Sequence, residues 1–193
     1  MKNVLFLSVA ASIFLALPSL SEVISKDTII SNDIEIVKEE KLEDRKERIS
    51  KLYPTVTMDR DHLVAVINLC YKYEIDPDLV LAIIEAESRY NPKAKNPKSS
   101  AIGYGQLIKS TATSVSKLIP EIKNYQHYKD GYDPYINLHI TTFYISKCLL
   151  SSGGNVNKAL RHYRGVNDPS YFRKVTNNRI KLKNTKSKIL KGL

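Results

Sequence analysis

Glu87 carries the strongest chemical signal in this chain of 193 residues. With about 3.6 residues per helical turn, Val80, Ile84 and Glu87 share one face, while Glu85 projects to another side. A carboxyl group on an apolar stripe must either find a partner or stay protonated. A glutamic acid that is protonated near neutral pH suits general acid catalysis, as in glycoside cleavage. The alternative is a structural acid that forms a buried ion pair with a lysine or arginine.

The helix that carries Glu87 is bounded by clear local signals. The sequence Asp-Pro-Asp at residues 76–78 supplies an N-cap, a proline at the first helical position and an acid in the first turn. Asn91-Pro92 ends the helix, because the residue before a proline disfavours helical dihedral angles. Asp133 and Asp168 also precede prolines, so we expect all three Asp-Pro pairs to cap helices rather than to do chemistry.

The remaining pattern predicts an all-α fold. Asp61 is expected to cap a helix with an apolar stripe, and Asn155 is expected to cap another that ends at Gly165. Residues 91–105 are rich in Asn, Pro, Lys, Ser and Gly and predict a long loop, with at most a small hairpin before Gln106. We find no internal repeat and no alternation of apolar and polar residues long enough to predict a sheet.

The N-terminus resembles an export signal. Lys2 supplies a positive charge, and Val4 to Leu17 is an apolar run. Residues 19–21, Ser-Leu-Ser, offer small side chains at the positions before a cleavage site. We therefore predict a signal peptide at residues 1–21 and an exported protein of the periplasm or cell envelope. The alternative is an uncleaved N-terminal anchor. No other segment is apolar enough to cross a bilayer, so no stable membrane span is expected after cleavage.

Charge divides the rest of the chain. Residues 22–55 alternate acids and bases and predict a charged linker or accessory helix, which precedes a helical domain at 56–180. The net charge of the chain is +10, and from Arg173 onward every charged residue is basic. Residues 181–193 are therefore predicted to be a basic tail that favours an anionic polymer, and deletion after Leu182 is expected to spare the fold. Export argues against nucleic acid as that polymer.

Two cysteines leave the redox state open. Cys70 and Cys148 both lie in apolar helical contexts. In an oxidising compartment an even number of cysteines permits one disulfide bond. Two buried free thiols are the alternative, because unpaired cysteine behaves as a small apolar residue.

Further motifs follow Glu87 in a specific order. Residues 87–94 read Glu-Ser-Arg-Tyr-Asn-Pro-Lys-Ala, residues 100–107 read Ser-Ala-Ile-Gly-Tyr-Gly-Gln-Leu, and Thr111-Ala112 follows. This order resembles the soluble lytic transglycosylase (SLT domain) family, lysozyme-like enzymes that cleave bacterial peptidoglycan. The resemblance covers about residues 59–180. Residues 162–165, His-Tyr-Arg-Gly, resemble a later element of the family, although Arg164 stands where asparagine is usual.

The resemblance implies a mechanism with a single carboxyl group. Glu87 would protonate the glycosidic oxygen between N-acetylmuramic acid and N-acetylglucosamine, and would then act as a base on the C6 hydroxyl of the muramoyl residue. The product would be a 1,6-anhydro end, formed without water. The N-acetyl group of the substrate can support the positive charge, so a second carboxylate is not required. No Asp or Glu occurs between Arg89 and Pro120. No cofactor or metal is expected.

Four residues are candidates for substrate binding, each with a structural alternative. Ser88 would orient Glu87 or simply occupy the helix end, and Gln106 would bind a sugar N-acetyl group or stabilise its loop. Tyr163 would place its hydroxyl near Glu87 or pack its ring in the core. Tyr104 would stack on the face of a sugar or pack its ring against other protein residues.

Two other functions compete with transglycosylation. A lysozyme-type muramidase would use water on the same substrate, and a non-catalytic cell-wall-binding module would keep the fold without the reaction. Expected partners are peptidoglycan glycan strands and, by analogy with small single-domain relatives, an envelope-spanning secretion or conjugation machine. No nucleic acid is expected as a routine partner.

Overall fold

The fold is that of a computed structural model, which describes residues 43–192. The predicted signal peptide and most of the predicted linker lie outside the described residues. Residues 43–52 are helical and are called α1, which agrees with an accessory helix in this part of the chain. Residues 44–192 belong to one compact unit.

Seven helices follow α1 within the described residues. They are α2 (Arg60–Lys72), α3 (Pro77–Ser88), α4 (Lys109–Ser116), α5 (His127–Asp130), α6 (Pro134–Ser151), α7 (Val156–Arg164) and α8 (Pro169–Lys191). The all-α prediction is confirmed, since residues 43–192 contain no strand. The small hairpin reduces to two isolated antiparallel bridges, from Lys95 to Ile102 and from Ile102 to Leu107. Across these same residues, no helix has the length and apolar character that a bilayer span requires.

The helix starts follow the predicted caps with one correction. The side chains of Asp76, Asp133, Asn155 and Asp168 each accept a hydrogen bond from a backbone N–H in the first turn of the helix that follows. The prediction that Asp61 caps α2 is wrong, because the cap is Asp59, which accepts from the backbone N–H of Asp61 at 2.9 Å. Asp61 therefore lies in the first turn, where a negative charge is favourable.

Helix α3 lies at the centre of the core. Its residues 79–84 are all buried, and α8 packs along it, while α2, α6 and α7 complete the bundle. Each large apolar side chain buried in this way contributes about 1.5–3 kcal/mol. At its C-terminal end, from Glu85 to Glu87, α3 is half-exposed. The bundle therefore holds α3 rigidly and presents its last turn to solvent.

Helix α8 continues through the predicted basic tail. Leu182 is buried, and Lys186 Nζ lies 2.7 Å from both carboxylate oxygens of the buried Asp78. Lys186 also donates to the Tyr53 hydroxyl at 3.2 Å. Residues 181–191 are therefore part of a packed helix, and these contacts speak against the expectation that deletion after Leu182 spares the fold.

The two cysteines follow the free-thiol alternative. Cys70 and Cys148 are both buried and unbonded to each other. Burial raises the pKa of the Cys148 thiol to about 11, against a smaller opposing effect of the Tyr144 hydroxyl. A thiol with this pKa is unreactive near neutral pH, so Cys148 serves packing.

Candidate active site

A cleft of about 560 Å³ opens at the C-terminal end of α3. The loop before α4 forms one part of its wall, and α7 with the start of α8 forms another. Two acids, Glu87 and Asp168, and two cations, Arg164 and Lys174, line it. The uncharged lining residues include Asn96, Ser99, Gln106, Thr111, Tyr144, Tyr163, Ser170 and Tyr171. The cleft is therefore polar and large enough for part of a carbohydrate chain.

Glu87 lies in the last turn of α3, half-buried in this cleft. Burial raises the pKa of its carboxyl group above the usual value, because the charged form is poorly solvated. The Tyr171 hydroxyl and the charges of Arg164 and Lys174 act in the opposite direction but do not cancel the effect of burial. A larger fraction of the carboxyl is therefore protonated near neutral pH, as a general acid requires.

The chain turns sharply directly after Glu87 and Ser88. Arg89 and Tyr90 both adopt left-handed backbone conformations, with φ of 53° and 62°. Such conformations cost about 1–3 kcal/mol each in non-glycine residues and cluster at functional sites. The buried Tyr90 ring anchors the turn, and its hydroxyl donates to the Glu85 carboxylate at 3.4 Å. The turn ends α3 before another helical turn could cover the Glu87 carboxyl.

The loop that carries Gln106 is fixed to α6 by Asn137, a buried residue that sequence analysis missed. Its side-chain nitrogen donates to the Ile102 carbonyl at 3.3 Å, and its oxygen accepts from the Gly105 N–H at 3.1 Å. A Cβ atom on Gly105 would lie 2.1 Å from Thr141 Oγ1, so only glycine fits this close approach. The loop is therefore a rigid wall of the cleft.

Gln106 combines its two predicted roles. The residue has a φ of 47°, and its side-chain nitrogen donates to the carbonyls of Ala94 at 3.1 Å and Gly103 at 3.0 Å. Both N–H groups of the amide thus stabilise the loop. The side chain also lines the cleft, and its oxygen accepts no hydrogen bond from residues 43–192. That oxygen remains available for a donor on a ligand.

Tyr163 reaches across from α7 to the same loop. Its hydroxyl donates to the Gly105 carbonyl at 2.6 Å, and its ring centroid lies 5.3 Å from that of Tyr144. Burial, and then the charge of Glu87, raises the pKa of Tyr163 well above the usual value. The residue therefore stays protonated, lines the cleft beside Glu87 and packs its ring against a neighbour.

Tyr171, at the start of α8, is a cleft residue that sequence analysis missed. Its hydroxyl is buried and has no partner of normal hydrogen-bond geometry among the described residues. It nevertheless lies near enough to the Glu87 carboxyl to lower the pKa of that acid. Burial and the charge of Glu87 in turn raise the pKa of Tyr171. Its sequence signal is only an aromatic residue in the first turn of a helix, a pattern typical of core packing.

Arg164 and Asp168 form a pair beside Tyr171. The Arg164 guanidinium carbon lies 4.7 Å from the centroid of the Tyr171 ring, and its Nη2 lies 3.4 Å from Asp168 Oδ2. Asp168 Oδ1 accepts from Ser170 Oγ at 2.7 Å and from the backbone N–H of Tyr171 at 3.0 Å. These hydrogen bonds, with a smaller effect of Arg164, lower the pKa of Asp168. Asp168 is therefore ionised and fully engaged as a helix cap.

Two predicted site residues lie outside the cleft. Tyr104 is 1 % exposed, and its hydroxyl pairs with His62 Nδ1 at 2.9 Å, so the expectation that it stacks on a sugar is corrected to core packing. The buried Ser88 hydroxyl donates to the Ile84 carbonyl at 3.1 Å, one turn back in its own helix. This placement favours the helix-end alternative over the orientation of Glu87. Of the predicted site residues, Glu87, Gln106 and Tyr163 share the cleft.

Comparisons with known proteins find a matching family profile and a partly similar curated protein. The profile of the Transglycosylase SLT domain family matches residues 65–183, which is more than half of the chain and includes the whole cleft. Membrane-bound lytic murein transglycosylase E of Buchnera aphidicola is 37 % identical over 75 residues, which are 39 % of this chain and 34 % of that protein. The chain thus spans about a third of the curated relative that it matches.

Among solved structures, an inactive mutant of the lytic transglycosylase Slt from Pseudomonas aeruginosa aligns with a TM-score of 0.48 and 16 % sequence identity. The alignment covers 65 % of this chain and 22 % of that chain. Most of the larger protein therefore lies outside the aligned region.

Proposed function

Because the chain belongs to the Transglycosylase SLT domain family, we propose that it is a peptidoglycan lytic transglycosylase. It cleaves the β-1,4 bond between N-acetylmuramic acid and N-acetylglucosamine and leaves a 1,6-anhydro end. One observation carries the proposal: of the two acids in the cleft, Glu87 has a raised pKa, whereas Asp168 is engaged at the N-cap of α8. Among the described residues, the cleft thus offers one carboxyl group with a raised pKa and no second free carboxylate.

In the first step Glu87 acts as a general acid. It gives its proton to the glycosidic oxygen as the bond from that oxygen to the anomeric carbon of the muramoyl residue breaks. The N-acetyl group of the same sugar supports the positive charge that develops at this carbon. The raised pKa favours the protonated form of Glu87 that this step needs.

In the second step the Glu87 carboxylate acts as a base. It removes the proton of the muramoyl C6 hydroxyl, whose oxygen bonds to the anomeric carbon and closes the anhydro ring. Glu87 is thereby returned to its protonated form, and no water is consumed. The Tyr171 hydroxyl and the charges of Arg164 and Lys174 favour the carboxylate formed between the two steps, since each lowers the pKa of Glu87.

The engagement of Asp168 supports an intramolecular reaction over hydrolysis. A glycosidase that uses two carboxyl groups needs the second one free to act as a nucleophile or to activate water. Asp168 instead accepts hydrogen bonds from Ser170 and Tyr171 and pairs with Arg164. A lysozyme-type muramidase would therefore lack its usual second acid in this cleft.

Gln106 and Tyr163 bind the substrate in this proposal. The free side-chain oxygen of Gln106 accepts the N–H of a sugar N-acetyl group, while its nitrogen keeps the loop in place. Tyr163 remains protonated, and its ring forms part of the wall of the cleft beside Glu87. Ser88 and Tyr104 act only through packing and helix geometry.

The proposed site of action is the cell envelope. A relative of this chain is named as a membrane-bound murein transglycosylase, and residues 1–21 have the features of an export signal. The exposed basic residues of α8 suit an anionic envelope. A secretion or conjugation machine that spans the envelope is the proposed partner class, by analogy alone.

The role of Glu87 is tested by the turnover of peptidoglycan sacculi. Glu87→Gln removes the proton donor and keeps the side-chain volume, so activity should fall by about 10²–10⁴-fold. Glu85→Gln is the matched control, because Glu85 lies in the same turn of α3 but outside the cleft, and it should retain most activity. Equal activity of wild type and Glu87→Gln would refute the proposal, as would an inactive wild type.

A further inference from the structure

Arg164 lies at the C-terminal end of α7 and contacts the ring of Tyr171. We infer that Arg164 is a positioning residue: its guanidinium, anchored on Asp168, holds the Tyr171 ring so that the hydroxyl stays beside Glu87. This inference rests on the proposed role of Glu87 as general acid and base. It concerns how the acid is supported, not whether it is the acid.

The contacts of Arg164 fix it between two rigid groups. Asp168 is the N-cap of α8 and is held by two hydrogen bonds at its other oxygen, so its carboxylate has a defined place. The guanidinium lies over the Tyr171 ring at 4.7 Å, within the range of a cation–π contact. A planar guanidinium can pair with a carboxylate and stack on a ring at once, whereas lysine cannot do both in the same way.

Tyr171 needs support of this kind because no hydrogen bond holds its hydroxyl. The hydroxyl is buried and has no partner of normal geometry within residues 43–192. A buried polar group without a partner is unfavourable, so the hydroxyl keeps this position only if the surrounding groups impose it. The backbone of Tyr171 is fixed by Asp168, and Arg164 then covers the face of the ring. Together they keep the hydroxyl in the cleft, ready to donate to the Glu87 carboxylate.

Arg164 also acts on Glu87 through its charge. The other titratable and charged groups that line the cleft are Tyr144 from α6, His162, Tyr163 and Arg164 from α7, Asp168 at the N-cap of α8, and Tyr171 and Lys174 from α8. Burial raises the pKa of Glu87, and Tyr171, Arg164 and Lys174, in that order, lower it. Removal of the Arg164 charge should therefore raise the pKa of Glu87 further. Because the acid must be protonated, the alkaline limb of the activity profile should move to higher pH.

The first experiment measures kcat/KM against pH on purified glycan strands for wild type, Arg164→Asn and Arg164→Lys. Arg164→Asn should lower kcat/KM by about tenfold near neutral pH and move the alkaline limb to higher pH. Arg164→Lys keeps the charge but not the planar face. Its alkaline limb should therefore lie at the wild-type pH, while its kcat/KM should lie between those of wild type and Arg164→Asn. A purely structural role would lower the rate of both variants and leave both limbs in place, which would overturn the inference.

The second experiment tests whether Arg164 acts through Tyr171. In a double-mutant cycle measured at a pH where Glu87 is protonated in every variant, Arg164→Asn should have little further effect on kcat/KM when Tyr171→Phe is already present, because the hydroxyl to be positioned is absent. Additive losses would contradict the inference. NMR titration of the Glu87 carboxyl without substrate should show a higher pKa in Arg164→Asn, and an unchanged titration would also contradict it. This titration needs no activity, so its failure is distinguishable from a failure of the proposed function.

Discussion

Glu87 meets two opposing requirements at the scale of a single residue. A proton donor needs a raised pKa, and burial at the end of α3 supplies it. The same carboxyl must become an anion during the reaction, and Tyr171, Arg164 and Lys174 limit the cost of that charge. The cleft thus makes Glu87 a weaker acid while neighbouring groups still favour its charged form, which suits a group that acts as acid and then as base.

The raised pKa of Glu87 predicts a cost in stability. Below the usual pKa of about 4.5, the carboxyl is protonated in both the folded and the unfolded state. As pH rises, the unfolded state loses its proton first, so the free energy of unfolding falls until pH passes the folded pKa. Glu87→Gln removes this effect and should unfold at a higher temperature than wild type at pH 7, with the difference vanishing near pH 4. Thermal unfolding at both pH values checks this, and a destabilised variant at pH 7 would contradict it.

Residue patterns predicted the parts of the site that depend on local sequence and missed the parts that depend on packing between distant segments. The helical spacing placed Glu87 on an apolar face, because that spacing is local. Tyr104 is a neighbour of the loop residue Gln106 in sequence, yet its ring turns to His62 in α2. Tyr171 joins the site only because α8 packs along α3. Contacts between distant segments depend on packing, which neither motif nor periodicity records.

At the scale of helices, the N-caps were predictable from the sequence, whereas the packed helix at residues 181–191 was not. An Asp-Pro pair determines a helix start within a few residues, and three such starts are confirmed. In α8 the many lysines concealed the helical spacing of Val175 and Leu182, which are buried, and of Lys186, which pairs with the buried Asp78 of α3. Counting charges could not reveal that one of those lysines neutralises a buried acid.

The pair of Lys186 and Asp78 predicts a strong effect of one lysine. Asp78 is 2 % exposed, and removal of its partner would leave a buried charge uncompensated. Lys186→Met should therefore lower the free energy of unfolding by about 3 kcal/mol. Lys188→Met is the matched control, since Lys188 is exposed on the same helix and its loss should change stability by about 0.5 kcal/mol or less. Denaturant unfolding of both variants is the measurement, and equal midpoints would show that the pair is not important for stability.

At the scale of the whole molecule, one packed bundle both forms the cleft and carries an exposed row of basic residues. Helix α8 provides Tyr171 and Lys174 to the cleft at its start, and its exposed side carries Arg173, Lys181 and Lys188. No acid follows Asp168 in the chain, so this side is uniformly positive. The same helix therefore links a proposed reaction on a glycan strand to attraction toward an anionic envelope.

In the proposed mechanism, one carboxyl group breaks the glycan without water. Mass analysis of the products that the wild-type protein releases from intact sacculi distinguishes this reaction from hydrolysis. The proposed mechanism predicts muropeptides with 1,6-anhydro ends, each lighter than the hydrolysis product by one water molecule. Products with reducing ends would contradict it, because they require a water molecule to take the place that we assign to the muramoyl C6 hydroxyl.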